Sequence, residues 1–186
     1  MATNTDNGRL ALVTGASKGI GLAITRMLLT REIRVIGVYG HDKQAAMAAK
    51  NSLGALAINL TMIQVDLSRL DGIDHIVRAV DAAGGVLHYL ISNIGVTDKT
   101  PFGQVSPKEW ELVLKTNLTV PFFLIQELAG RLKDDEGRVV FIGAVMGIKP
   151  HAISFSYGAS KAGLHFLAQS LVKIMSPRGI TVNVVA

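Results

Sequence analysis

Short runs of apolar, β-branched residues alternate along the chain with longer stretches of helical periodicity. The runs Leu10–Thr14, Arg34–Tyr39, Met62–Asp66, Leu87–Ser92, Arg138–Ile142 and Thr181–Val185 predict six strands. Most lack strict apolar/polar alternation, which is the pattern of strands covered on both faces in a parallel sheet. Helical periodicity predicts helices near 19–30, 43–53, 70–82, 107–131 and 157–175. The fourth has a clear start signal: Ser106 suits the N-cap, Pro107 the first helical position, and Glu109 completes a capping box. Strand–helix alternation with right-handed crossovers gives an α/β fold with a doubly wound parallel sheet. No linker, repeat or low-complexity segment interrupts the pattern, so one domain is predicted over residues 1–186.

Composition narrows the function classes. With 49% hydrophobic and 18% charged residues, the chain is too apolar for disorder, and its 19 glycines follow no fibrous period. The absence of cysteine removes disulfides, thiolate chemistry and Cys-ligated zinc together. The first ten residues, MATNTDNGRL, lack the apolar run of a signal peptide, and no run approaches the ~18 apolar residues of a membrane span. A cytoplasmic protein is the expectation, with no membrane partner. The net charge is +5, but the 19 Lys and Arg are scattered and only 5% of residues are aromatic. That distribution argues against a nucleic-acid surface and suits an anionic cofactor or a carrier-bound acidic substrate.

Three segments carry chemistry. The first strand runs into Thr14-Gly15-Ala16-Ser17-Lys18-Gly19-Ile20-Gly21, which opens the first helix. Glycines there permit a tight turn and let backbone N–H groups approach a phosphate, aided by the helix dipole. At the end of the second strand, where NAD sites of this kind place an acid for the ribose hydroxyls, stand Gly40 and His41, with Asp42 after them. Lys18 supplies a cation for a 2′-phosphate, so NADP is expected rather than NAD. In Tyr157-Gly158-Ala159-Ser160-Lys161, the phenol and ammonium lie four residues apart on one helix face. A nearby ammonium favours the phenolate and brings a tyrosine toward its working range.

These segments occur in order with Asp66-Leu67 after the third strand, Asn93-x-Gly95 after the fourth, and Asn117 within Thr-Asn-Leu-Thr. Together they resemble the short-chain dehydrogenase/reductase family, a Rossmann-type fold, over almost the whole chain. Ser-Tyr-Gly-Ala-Ser-Lys-Ala-Gly and Arg-Gly-Ile-Thr-Val-Asn-Val-Val-Ala look most like its 3-oxoacyl-[acyl-carrier-protein] reductase branch. The resemblance implies that Tyr157 protonates the carbonyl oxygen as hydride arrives from NADPH. It implies that Lys161 binds the nicotinamide ribose and depresses the Tyr157 pKa, while Asn117 holds a water that relays protons from Lys161. Gly15, Ser17, Lys18, Gly19, Ile20 and Gly21 would line the diphosphate and adenosine ribose, Asp66 and Leu67 the adenine, and Asn93 and Gly95 the length of the cofactor. The subunit interface of the family, on the helices carrying Asn117 and Tyr157, implies a homo-oligomer, a dimer or tetramer.

The chain departs from the family pattern in three places. The substrate-binding serine, thirteen residues before the tyrosine, is Ala144 in Phe141-Ile142-Gly143-Ala144-Val145. Ser154 and Ser156 lie near Tyr157 in sequence, and of these Ser154 is the candidate substitute. Ser92-Asn93-Ile94-Gly95 stands where the family has Asn-Asn-Ala-Gly, which puts isoleucine bulk beside the cofactor. The sequence stops on the strand Thr181–Val185, before the family's substrate-covering segment, further helix and last strand, so the nicotinamide pocket is expected to be open and one sheet edge unpaired. Two function classes stand: an NADPH-dependent carbonyl reductase acting on a β-ketoacyl thioester, and a catalytically silent NADP-binding protein or partner subunit of a hetero-oligomeric reductase. His75, His88, His151 and His165 have no paired ligand spacing and imply no metal site, and Trp110 and Phe122-Phe123 read as core or helix–helix interface.

Overall fold

The computed structural model describes residues 8–186. Residues 1–7, most of the stretch without a signal-like run, lie outside the described residues. Six strands, β1 (Leu10–Thr14), β2 (Arg34–Tyr39), β3 (Leu60–Gln64), β4 (Tyr89–Ser92), β5 (Arg138–Ile142) and β6 (Thr181–Val185), form one sheet. The order is β3-β2-β1-β4-β5-β6 and every pairing is parallel. The strand order therefore reverses between β1 and β4, and a crevice opens there beyond the strands' carboxyl ends.

Burial explains the absence of alternation. All five residues of β1 are buried. Leu10 and Leu12 pack into one core with the helices α3 (Ile73–Ala82), α5 (Val120–Leu128) and α6 (Phe155–Met175). Ala11 and Val13 pack on the other face against Leu28 and Leu29 of α1 (Gly19–Thr30) and Leu53 after α2 (Lys43–Ser52). The last helix in this set, α4 (Pro107–Leu114), adjoins α6. β6 lies at one edge of the sheet and alternates, with Val182 buried and Thr181, Asn183 and Val185 less so.

Several boundaries differ from the pattern, α3 beginning at Ile73 rather than near 70 and α6 at Phe155 rather than near 157. β3 begins at Leu60, two residues earlier than expected, because Leu60 is buried and pairs with Val35, whereas Asp66 turns its carboxylate to the Ser68 amide. β4 begins at Tyr89, since Leu87 bridges Leu132 instead of continuing the ladder. The expected single helix over 107–131 is divided. A π-helical turn, Lys115–Thr119, separates α4 from α5. Pro121 has no N–H to donate to the Asn117 carbonyl four residues back, which takes away that oxygen's α-helical partner. Its capping box is half formed: Ser106 Oγ accepts from the Glu109 amide at 3.2 Å, but the Glu109 carboxylate accepts from Thr100 Oγ1 at 2.6 Å. By length and composition the stretch Pro107–Arg131 could cross a membrane, which its interrupted apolar runs did not suggest. Val113, Asn117, Val120, Leu124, Ile125 and Leu128 along it are buried inside the fold.

Candidate functional site

The turn after β1 is held from outside. Gly15 sits at φ +67°, a conformation that suits glycine, and the Ala16 amide donates to the Val38 carbonyl at 3.0 Å. A Cβ on Gly21 would collide with the Gly15 carbonyl, so Gly21 lets the first turn of α1 close over that residue. Asn93 Nδ2 donates to the Thr14 and Gly15 carbonyls at 3.0 and 3.3 Å. Thr14 Oγ1 accepts from the amides of Asn93 and Ile94, both at 2.9 Å. β1 and β4 are thereby locked across the reversal. No side chain caps α1 and no acid stands in its first turn. Its leading N–H groups and dipole remain for an anion. Asn93 thus braces the turn, and Gly21 shapes it.

A cleft of about 400 Å³ lies over this turn, lined by Gly15, Ser17, Lys18, Gly40, Leu67, Asn93, Ile94 and Gly95 among others. That volume lies in the range of small-ligand sites. At its β2 end the cleft is lined by Asp42, whose carboxylate accepts from the Ala45 amide at 2.8 Å and caps α2. Lys18 is exposed beside Gly40 and His41. The cleft end therefore carries the Lys18 ammonium and, in Asp42, an acid engaged as a helix cap. Asp66 is a partial departure from expectation. Its carboxylate is held below the usual range chiefly by hydrogen bonds from Ser68, and it lines a neighbouring polar depression with Arg69, Asp71 and His75. His41 Nε2 stands 3.7 Å from Asp66 Oδ2. Leu67, in contrast, is buried and faces the main cleft.

A second depression, of about 240 Å³, shares Asn93, Gly95 and Val96 with the first and adds Ile20, Ile142, Gly143, Tyr157 and Lys161. The spacing of Tyr157 and Lys161 on α6 places both side chains at it, as expected. The Lys161 ammonium lies 5.6 Å from the Tyr157 ring centroid and donates to the Ile142 carbonyl at 2.7 Å. Burial lowers the Lys161 pKa to about 8. Burial also pushes the Tyr157 phenol up, with no contribution from Lys161. The phenol is thus shifted opposite to the expected direction by burial, while the ammonium is bonded to the end of β5.

Asn117 is buried in the π-helical turn. Its Oδ1 accepts from the Val96 amide and its Nδ2 donates to the Val96 carbonyl, each at 2.8 Å, and to Ser160 Oγ at 3.0 Å. A Cβ on Gly95 would lie 3.5 Å from both Asn117 Oδ1 and Lys161 Nζ. The Asn117 side chain is thus committed to protein.

Ala144 follows Gly143, whose amide donates to the Val185 carbonyl at 2.7 Å, and precedes a 3-10 turn, Val145–Gly147, packed against α6. Neither nearby serine replaces it. Ser154 is buried and donates its hydroxyl to the Asp98 carbonyl, and Ser156 donates both its amide and its hydroxyl to Asp98 Oδ2. Asp98 carried no sequence signal, since its partners lie 56 and 58 residues away. Ile94 packs partly on the core and partly lines the cleft. Trp110 is not core: it is 39% exposed and lines an apolar groove with Phe102, Val105, Phe155 and Ala159. Among the histidines, His88 Nδ1 accepts from the Leu10 amide at 3.3 Å, while His165 Nε2 is buried without a hydrogen bond to any described residue.

Known proteins share this sequence pattern and fold. The family profile described as short chain dehydrogenase matches residues 9–186. The 3-oxoacyl-[acyl-carrier-protein] reductase FabG of Escherichia coli (strain K12) is 35% identical over 180 residues, covering 96% of this chain and 72% of that protein. Among solved structures, the Pseudomonas aeruginosa RhlG/NADP active-site complex superposes with a TM-score of 0.89 at 33% identity, covering 98% of this chain and 73% of that one. A short chain dehydrogenase from Burkholderia cenocepacia J2315 in complex with NADP superposes with a TM-score of 0.90 at 31% identity, covering 97% and 74%.

Proposed function

Because the chain belongs to the short-chain dehydrogenase family, we propose that it is an NADPH-dependent carbonyl reductase acting on a β-ketoacyl thioester. The observation that carries the reading is the continuity of the two depressions. An uncapped helix N-terminus with Lys18 lies at one end, Tyr157 and Lys161 at the other, and Asn93, Gly95 and Val96 between. The residues fit a phosphorylated dinucleotide: the amides of α1 take the diphosphate, and Lys18 meets a 2′-phosphate beside an Asp42 engaged in capping α2. The bound nicotinamide supplies the hydride.

This chain's residues supply the rest. Burial keeps the Tyr157 phenol protonated at neutral pH, the state an acid needs for protonating a developing alkoxide. Lys161, fixed at the end of β5, presents its charge to the ribose beside Gly95. The Asn117 carbonyl, deprived of an α-helical donor by Pro121, holds a water that returns a proton toward Lys161. Ala144 offers no hydroxyl to the substrate carbonyl, and that observation favours the second reading, a silent NADP-binding protein or partner subunit. Exposed Phe102, Trp110 and Phe166 support assembly with a second copy of the chain.

The test follows NADPH absorbance with a β-ketoacyl thioester and repeats the assay with NADH. NADPH is expected to be consumed in preference to NADH. Lys18→Ala weakens NADPH affinity about tenfold and leaves NADH affinity in place, read by cofactor fluorescence. Equal loss for both cofactors removes the 2′-phosphate assignment.

A pH prediction follows from Lys161. Its folded pKa is lowered to about 8, so the burial penalty on the ammonium is complete below that pH and fades as pH rises from there toward the ordinary lysine value. Stability contributed by this group thus increases above about pH 8, while NADPH affinity, which needs the charge, falls by up to about tenfold per pH unit. Lys161→Met removes both slopes. Parallel movement of stability and affinity in the parent counts against this account.

A further inference from the structure

Asp98 is a buried carboxylate that the proposed chemistry does not use. It lies in the loop between β4 and α4, 3% exposed, and it meets the first turn of α6 across 56 to 58 residues of sequence. Its Oδ2 accepts from the Ser156 amide at 3.2 Å and from the Ser156 hydroxyl, while its backbone carbonyl accepts from the Ser154 hydroxyl. The residue at the N-cap position of α6, Ser154, makes no side-chain cap of its own and stands at φ +62°, a left-handed conformation that is strained for a serine. The cap of α6 is therefore delivered through space by Asp98.

The same loop is fastened a second time. Val96, two residues before Asp98, exchanges both backbone hydrogen bonds with the Asn117 side chain, which also reaches Ser160 Oγ. The two fastenings meet α6 at Ser156 and Ser160, on either side of Tyr157 in sequence. Asp98 Oδ1 is buried with no hydrogen-bond partner among the described residues. A carboxylate kept buried and half satisfied costs stability relative to an apolar residue, so its placement is not explained by stability alone.

We propose that Asp98 is a positioning residue for Tyr157: it caps α6 from the β4–α4 loop and so fixes the tyrosine relative to the loop carrying Gly95 and Val96. The proposal rests on the reading of Tyr157 as the proton donor. Displacing a reacting group by a fraction of an ångström to an ångström lowers the rate far more than it changes affinity, so the signature is in kcat. Asparagine keeps an oxygen that can accept from the Ser156 amide and hydroxyl, whereas alanine keeps none.

The experiment compares Asp98→Ala and Asp98→Asn in the chain carrying Ala144→Ser, which raises the rate available for measurement. It records kcat and KM for the thioester, and the tyrosinate absorbance titration with Tyr157→Phe as the reference that isolates Tyr157. Asp98→Ala is expected to lower kcat about tenfold or more with KM little changed, and to let Tyr157 ionise at a lower pH as its ring leaves the buried seat. Asp98→Asn is expected to recover both readouts to within about threefold in rate. A folded alanine variant with the parent's kcat and Tyr157 titration overturns the proposal, and so does an asparagine variant impaired as much as alanine. If alanine prevents folding, Ser156→Ala removes one bond alone, and an unchanged kcat and titration there overturn it. If no variant reduces the thioester, the reductase reading fails, and the Tyr157 titration still decides whether Asp98 positions the ring.

Discussion

Ala144→Ser raises turnover of a β-ketoacyl thioester by about a hundredfold to a thousandfold, the usual worth of one hydrogen-bond donor to a developing oxyanion. The backbone is already suited to the change. Ala144 is extended, at φ −164° and ψ 152°, so serine brings no strain. It is the N-cap position of the Val145–Gly147 turn, where serine is a favoured residue, and it is only partly buried. Folding stability should thus change by less than about 1 kcal/mol. The position also has the right neighbours. Ile142, two residues earlier, holds the Lys161 ammonium, and Gly147, three residues later, packs so closely on α6 that a Cβ there would lie 2.7 Å from the Lys161 carbonyl carbon. Position 144 directly follows Ile142 and Gly143, which line the depression that holds Tyr157. The measurement is kcat for both proteins at saturating NADPH, with cofactor affinity recorded separately. If both remain silent while NADPH binds equally, the reductase reading fails and the partner-subunit reading stands.

Much of this site was legible before any coordinates, and the reason is local. The turn Thr14–Gly21 and the pair Tyr157/Lys161 are encoded within one strand–turn–helix and one helical turn, so spacing alone places their side chains together. β1, β2, β5 and β6 were legible to the residue because apolar, β-branched runs end abruptly at them. What escaped depends on contacts distant in sequence. β3 starts at Leu60 because of its register with Val35, and Asp98 has no local pattern because Ser154 and Ser156 are on another element. The Lys161–Ile142 bond escaped for a related reason. Helical spacing shows that Lys161 and Tyr157 share a face, but the Ile142 carbonyl, which takes the ammonium, is invisible to it. Asp42 illustrates the converse: its place after His41 left its role open, and the Ala45 amide resolves it as a helix cap.

Tyr157→Phe is expected to reduce turnover by about a hundredfold to ten-thousandfold, the range for loss of a positioned general acid. The substitution is unusually clean in this structure. The phenol oxygen makes no hydrogen bond to any described residue, so its removal strands no buried partner. Phenylalanine keeps the ring beneath the Lys161 ammonium, 5.6 Å from its centroid, and so keeps the cation–π contact. NADPH affinity and the thermal midpoint should accordingly stay near those of the parent, and the loss should appear in kcat. Lys161→Met behaves differently, since it also removes the bond to Ile142 and the charge proposed to meet the ribose, and it should weaken NADPH binding as well. The pair of variants separates proton donation from cofactor holding. The comparison is made in the Ala144→Ser chain, by NADPH consumption for rate and by cofactor fluorescence for affinity. A Tyr157→Phe protein that keeps more than about a tenth of the parent's turnover shows that another group delivers the proton. Ser154 and Ser156 are already held by Asp98, and Ser160 Oγ donates to the Tyr157 carbonyl, so these three hydroxyls are engaged elsewhere.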